Sequence, residues 1–332
     1  MQRLGHHVVF AGNEWQRSFI EQTFPAIENI HLEGYNVTYG ATSGLEKASL
    51  LSQVPRLRLA IKKEHEWLQQ HIASIRPDAI ISDNRYGMYH SSIPSVIMTH
   101  QLQIQTGMGN AVNRAVQKMH YKFLERFDSV WVPDTREVDN LAGALSHTSP
   151  LPKNTSYLGL LSQFDAGEAN TDEHLLVLLS GPEPQRTMLA AILWQQVMQH
   201  KGKVVFVAGT EQAAMPQQIP EHITYYARLS GDVLKTAIQK ASMVICRSGY
   251  STLMDLVRLS KKAILIPTPG QTEQEYLARH LQQQGVFPYA PQKRFDLDKL
   301  LAAAAGFPYN PPKNRTHFYD HEPILEQWIA SI

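Results

Sequence analysis

The stretch MVICRSGYSTLMDLVRLSKKAILIPTPGQTEQEYLARHLQQQG, Met243 to Gly285, decides the fold. An apolar run, Met243 to Cys246, meets Arg-Ser-Gly, then an amphipathic segment, then a second apolar run closed by Pro267-Thr268-Pro269-Gly270. A polar segment opening with Glu273-Gln274 follows. The order is strand, tight turn, helix, strand, loop, helix, with small polar residues where each helix begins. Helix N-termini carry unpaired N–H groups and partial positive charge, so each is a potential phosphate seat. Two of them after neighbouring strands can grip a nucleotide diphosphate. A carboxylate about one turn into the first helix can then accept from ribose hydroxyls, and Asp255 stands there.

Working outward, near-continuous apolar runs recur at 7–11, 79–82, 95–99, 129–132, 175–179, 204–208, 243–246 and 263–267. Such runs suit parallel strands buried on both faces. Helical patterns lie between them. Over 56–76, Leu57, Ile61, Trp67, Leu68, Ile72 and Ile75 approximate a 3.6-residue period that Pro77 ends. The 332 residues form two such βα series. The expected fold class is α/β, two doubly wound Rossmann-like domains whose parallel sheets face a central cleft. The expected boundaries are 1–160, a linker at 161–173, 174–320, and a terminal helix at 321–332.

Composition narrows the chemistry. Hydrophobic residues make up 43%, and 31 basic against 30 acidic side chains leave a net charge of +1, which makes no case for nucleic acid. No apolar stretch approaches the roughly 20 residues of a membrane span. The lone cysteine, Cys246, lies in an apolar strand and reads as core, so disulfides and cysteine metal sites are excluded. A cytoplasmic setting is expected. Gly107-Met108-Gly109 lacks a preceding strand and a third glycine. Asp296-Leu297-Asp298 reads as a helix start rather than a metal motif. Residues 111–126 alternate Arg114, Lys118, Lys122 and Arg126 with apolar positions. That pattern suits an ordinary surface helix, and less readily a peripheral contact with the inner face of an anionic membrane.

Arg247-Ser248-Gly249-Tyr250-Ser251-Thr252-Leu253-Met254-Asp255, then Ile266-Pro267, then Glu273-Gln274, closely resembles the donor half of GT-B glycosyltransferases of family 28, the MurG-like type. Asp replaces the usual Glu at 255. The resemblance implies a hexosyltransferase that moves a hexose or N-acetylhexosamine from a nucleotide-diphospho-sugar, UDP-linked, with inversion. No cofactor or metal is implied, the nucleotide sugar being a co-substrate. The acceptor is a glycan, a lipid-linked or a small-molecule hydroxyl. Implied donor contacts are Ser180, Gly181 and Arg186 after the first strand of the second half, then Arg247, Ser248, Gly249, Ser251, Thr252 and Asp255, with Glu273 and Gln274 on the sugar. On the acceptor side, Asp83, Asn84, Arg85 and Tyr86, and His100 with Gln101, follow strand ends that line the cleft. Asp83 or His100 is the candidate general base.

The opening MQRLGHHVVF reads as the end of a helix closed by Gly5 and entering a strand. In the family a first strand and a glycine-rich loop ending in histidine come before such a phrase, roughly 20–25 residues by mean element lengths. A start internal to a longer chain and a shortened homologue are both compatible with this. His6 and His7 read as strand entry, not as that loop histidine. Two rival functions stay open, a non-hydrolysing nucleotide-sugar epimerase and a non-catalytic nucleotide-sugar-binding protein.

Overall fold

The computed structural model describes residues 1–34, 46–104, 106, 109–166, 173–210, 216–293, 296–310 and 318–332, with backbone alone over 46–54. The expected linker's residues 167–172, and Gly107 and Met108, lie outside the described residues.

The chain begins β1 (Val9–Gly12), α1 (Glu14–Thr23), β2 (Glu28–His31), α2 (Glu46–Ile75), β3 (Ile80–Asp83), β4 (Ser95–Met98), α3 (Asn110–Leu124), β5 (Ser129–Val132) and β6 (Thr155–Tyr157). It continues with β7 (His174–Leu178), α4 (Gln185–Val197), β8 (Val204–Val207), β9 (Ile223–Tyr226), α5 (Gly231–Gln239) and β10 (Ala241–Cys246). The remaining elements are α6 (Tyr250–Arg258), β11 (Ala263–Leu265), α7 (Thr272–Gln283), α8 (Leu297–Ala305) and α9 (His321–Ile329).

Every ladder is parallel. The C-terminal lobe holds one five-stranded sheet, ordered β11-β10-β7-β8-β9. Its central strands carry Leu176, Val177, Val244 and Ile245, all without solvent exposure, because helices cover both faces. The N-terminal lobe departs from the expected single sheet. Its strands form a four-stranded sheet, β3-β4-β5-β6, and a separate pair, β1-β2. One apolar cluster links the two pieces, with Ala11 of β1, Leu32, Leu68 of α2 and Ile80 of β3 packed together. Asn13 starts α1 by a reciprocal cap, its side chain accepting from the Gln16 N–H while Gln16 returns the bond.

The lobes are joined by more than the linker. Leu141, Ala142 and Leu145 of the first lobe belong to the same buried cluster as Tyr250, Leu253, Leu277 and Leu281 of the second. The backbone N–H of Ala144 donates to the Tyr276 hydroxyl at 2.7 Å. Gly143, with φ of 59°, admits this approach; a Cβ there would meet that hydroxyl at 2.5 Å. At the C-terminus α9 returns to the first lobe, where Trp328 meets Trp131 edge to face at 5.1 Å. Arg228, after β9, holds its guanidinium 4.8 Å from the Trp15 ring of α1. Among the described residues no helix is long and apolar enough to cross a membrane.

Candidate active site

Parallel strands aim their C-terminal ends at one edge, and the turns leaving β3, β4, β7, β10 and β11 carry the predicted site residues. On the second lobe, α6 begins at Gly249 with no side-chain cap. Its first N–H groups are therefore the kind an anion satisfies. A Cβ placed on Gly249 would meet nothing within 4 Å, so the turn opens onto free space. Ser251 is exposed and Thr252 half-buried at this rim. Ser180 and Gly181 are exposed at the neighbouring turn, where Gly181 takes φ of 100°. A Cβ on Gly181 would lie 3.9 Å from the buried Thr268 hydroxyl, which makes no hydrogen bond of its own.

The charged side chains expected on a diphosphate face inward instead. Arg247 is almost wholly buried and donates to three carbonyls, Ile266 at 3.1 Å, Pro267 at 3.2 Å and Gln185 at 2.7 Å. Desolvation lowers its pKa to about 10, still charged at neutral pH. It ties the ends of β10 and β11 to the start of α4. Arg186 is likewise turned in, donating to the Ala208 carbonyl at 2.8 Å and to Glu183. Burial lowers its pKa, against a raising influence from Tyr225. The Ser248 hydroxyl donates to the Gln274 carbonyl at 2.8 Å, and the Gln274 side chain accepts from the Thr268 N–H at 2.9 Å. Asp255 accepts from the Ser162 hydroxyl at 2.6 Å, the Gln163 side chain at 2.8 Å and the Gln163 N–H at 3.3 Å. Burial raises its carboxyl pKa, and these three bonds pull it back down. In each of these five the side-chain hydrogen bonds run to neighbouring parts of the fold, backbone, linker or, for Arg186, the Glu183 carboxylate.

The first lobe is mixed. Arg85 is also withdrawn, its Nε donating at 2.5 Å to Glu64, a carboxylate that also accepts from the Gly87 N–H at 2.7 Å. Asn84 is exposed, with φ of 55°, and its carbonyl accepts from the Tyr86 hydroxyl at 3.3 Å. Behind it, Tyr86 meets Nε2 of the buried His120 at 3.1 Å. Burial raises the Tyr86 phenol pKa and lowers that of His120 to about 4, the Leu102 backbone opposing the latter. Asp83 is exposed at the end of β3. Desolvation by the surrounding protein raises its carboxyl pKa, and the charge of His100 opposes it.

His100 brings the lobes together. Its ring stacks on Tyr250, the first residue of α6, at 4.2 Å and 13° between planes. Its Nε2 lies 2.8 Å from Glu273 Oε1, and the Gln101 side chain donates to the other oxygen of Glu273. Glu273 thus meets two residues of the opposite lobe, which the expected sugar contact does not describe. Burial and the nearby Asp134 carboxylate push the Tyr250 phenol well up. Tyr250, Glu64 and His120 escaped the sequence reading: each acts through a partner in another element, and no local pattern announces such a partner.

Two surface cavities lie outside this cluster. One of about 400 Å³ includes Arg136, Thr155, Tyr157 and Ile324; another of about 300 Å³ includes Gln185, Pro267, Glu275 and Arg279. Neither is lined by His100 or Gly249, so cavity size does not locate the chemistry here. Among the described residues no group of three or more His, Cys, Asp or Glu is placed to hold a metal. Asp296 caps α8, accepting from the Lys299 N–H at 3.1 Å.

Two parallel α/β lobes with facing turns and a terminal helix crossing back define the GT-B fold. Residues 186–315 match the glycosyltransferase family 28 C-terminal domain. The chain is 25% identical over 210 residues to a UDP-N-acetylglucosamine--N-acetylmuramyl-(pentapeptide) pyrophosphoryl-undecaprenol N-acetylglucosamine transferase of Pasteurella multocida. That match covers 62% of this chain and 56% of the relative. Among solved structures, MurG of Acinetobacter baumannii superposes with a TM-score of 0.52 at 13% identity, over 98% of this chain and 87% of the other. Spinosyn rhamnosyltransferase SpnG complexed with thymidine diphosphate gives 0.62 at 15% identity, over 99% and 90%.

Proposed function

We propose that the protein is a glycosyltransferase moving a hexose or N-acetylhexosamine from a UDP-linked donor to an acceptor hydroxyl, with inversion and without a resident metal. One observation carries this reading: the open, uncapped start of α6 at Gly249 adjoins His100 of the opposite lobe. A diphosphate at α6 would take its N–H groups and the positive end of the helix. Its anomeric carbon would then lie toward the first lobe. Charge developing on the leaving diphosphate would be met by backbone already fixed in place, because Arg247 holds the three turns together from beneath.

On the first lobe, His100 takes the proton of the acceptor hydroxyl as its oxygen attacks the anomeric carbon. The bond to the diphosphate breaks on the opposite face, and a single displacement inverts configuration. Asp83, Asn84 and Gln101 border the acceptor's place. The acceptor would be a glycan, a lipid-linked or a small-molecule hydroxyl, and a lipid-linked one would bring the protein to the inner face of a membrane.

Isothermal titration with UDP and UDP-N-acetylglucosamine, followed by product analysis in lipid and glycan extracts, tests the reading. Saturable binding and transfer are expected. No heat with any nucleoside diphosphate would sink the donor assignment. An epimerised donor formed without acceptor would make the protein an epimerase, and binding without turnover would make it a non-catalytic binder.

A further inference from the structure

The contact between His100 and Glu273 joins residues 173 positions apart on opposite lobes. A glutamate carboxylate only accepts, so at 2.8 Å the imidazole Nε2 must carry the proton. That leaves Nδ1 as the nitrogen with a free lone pair. Gln101 fixes the far oxygen of the same carboxylate, and the Tyr250 ring fixes the imidazole plane from α6. Three elements of two lobes therefore set one ring's tautomer and tilt. Both Glu273 and His100 keep about a fifth of their side-chain surface open, so the pair sits at the cleft surface rather than in the core.

We propose that Glu273 is a positioning residue for His100, so that the base is assembled only where the two lobes meet. The proposal rests on the transferase reading above. In it, the acceptor O–H bond breaks and its proton passes to Nδ1. The oxygen forms the new bond to the anomeric carbon, and the diphosphate leaves with the pair of electrons from the old one. Glu273 accepts from the Nε2–H of the imidazolium throughout. The charged and titratable groups facing the ring are Glu273 from α7, Asp83 from the end of β3 and the Tyr250 phenol from α6. The role differs from the donor-sugar contact expected of Glu273, and the two roles leave different traces.

The test uses the full chain as wild type and as Glu273→Gln, Glu273→Asp and Glu273→Ala, with nitrogen NMR of the histidine rings. In the wild type the neutral His100 ring should show its proton on Nε2; in Glu273→Ala it should become a mixture of tautomers. An unchanged tautomer overturns the proposal. With UDP-N-acetylglucosamine as donor, Glu273→Gln should lower kcat about a hundredfold with donor KM within threefold, a size typical of impaired general-base catalysis. Glu273→Asp should recover part of that loss. A donor KM raised tenfold or more at unchanged kcat would make Glu273 a sugar ligand and overturn the proposal. Failure of the wild type to bind UDP would instead break the transferase reading, while the tautomer would still decide whether Glu273 orders the ring.

Discussion

The two walls of the cleft use their polar residues in opposite ways. On the second lobe Arg186, Arg247, Ser248, Asp255 and Gln274 all turn inward, and the rim left facing outward is backbone at Gly181 and Gly249 with the small hydroxyls of Ser180, Ser251 and Thr252. On the first lobe Asp83 and Asn84 are exposed and His100 stays partly open beside Glu273, while Arg85 is withdrawn into an ion pair with Glu64 and Tyr86 turns to His120. Backbone N–H groups suit a diphosphate, whose charge is the same whatever sugar it carries. Side chains suit the first lobe, where the proposed reaction moves a proton. The difference teaches that a charged residue in a ligand-binding motif can serve the loop's shape rather than the ligand.

Arg247 is where that contrast is easiest to break. Arg247→Met keeps length and apolar contact but strands three carbonyls in a buried place. A buried acceptor left without its donor costs about 1–3 kcal/mol, and three carbonyls share this one. The urea midpoint should fall accordingly, and donor binding should fail with it. A variant of wild-type stability that has lost only donor affinity would return Arg247 to the ligand and undo the comparison.

His120 probes the scaffold behind the first wall. With a folded pKa of about 4 against about 6.5 for the free side chain, it is neutral in the folded state at neutral pH. As pH falls below 6.5, the unfolded chain takes a proton that the folded chain refuses. Stability present above pH 6.5 is therefore lost on the way down to about pH 4, and the slope from this group ends there. The loss amounts to about 3 kcal/mol. Urea unfolding between pH 7 and 4 should show the wild-type advantage over His120→Gln shrinking by that amount. Parallel curves would mean that the His120 ring is not excluded from water.

Asp255 separates a ribose ligand from a bolt on the linker. Its three bonds to Ser162 and Gln163 predict that Asp255→Ala loses about 1–3 kcal/mol of stability. Thermal unfolding with and without UDP checks this. A stability cost that appears only with UDP bound would restore the carboxylate to the ribose.

These outcomes bear on what was legible in the chain. The strands at 95–99, 129–132, 175–179 and 243–246 were readable because burial on both faces leaves an unbroken apolar run. The three unpredicted strands, β2, β6 and β9, all lie at sheet edges. There ENIH, TSY and ITYY are only partly covered, and they carry polar residues that break the run. The turns of the site were legible for a similar local reason, since glycine and small polar residues mark where a strand gives way to a helix. The direction of each side chain was not. Arg247 reads the same whether it reaches out to a phosphate or back to the Ile266 carbonyl. Glu64, the partner that withdraws Arg85, stands 21 residues away on α2. The His100–Glu273 contact depends on how two lobes dock, which no stretch of either lobe encodes by itself.

The mildest substitution separates backbone from side chain most cleanly. Gly249 has an ordinary φ of −71°, and its missing Cβ points into open space. Gly249→Ala should therefore leave the thermal midpoint almost unchanged, since neither strain nor a clash opposes the methyl. That same methyl would stand where a phosphate has to approach the N–H groups of α6. UDP affinity should drop about tenfold, near 1.4 kcal/mol. Isothermal titration beside a melting curve distinguishes the cases. Unchanged affinity in a well-folded variant would place the diphosphate elsewhere along the rim, and the turn at Gly181 would be the next to alter.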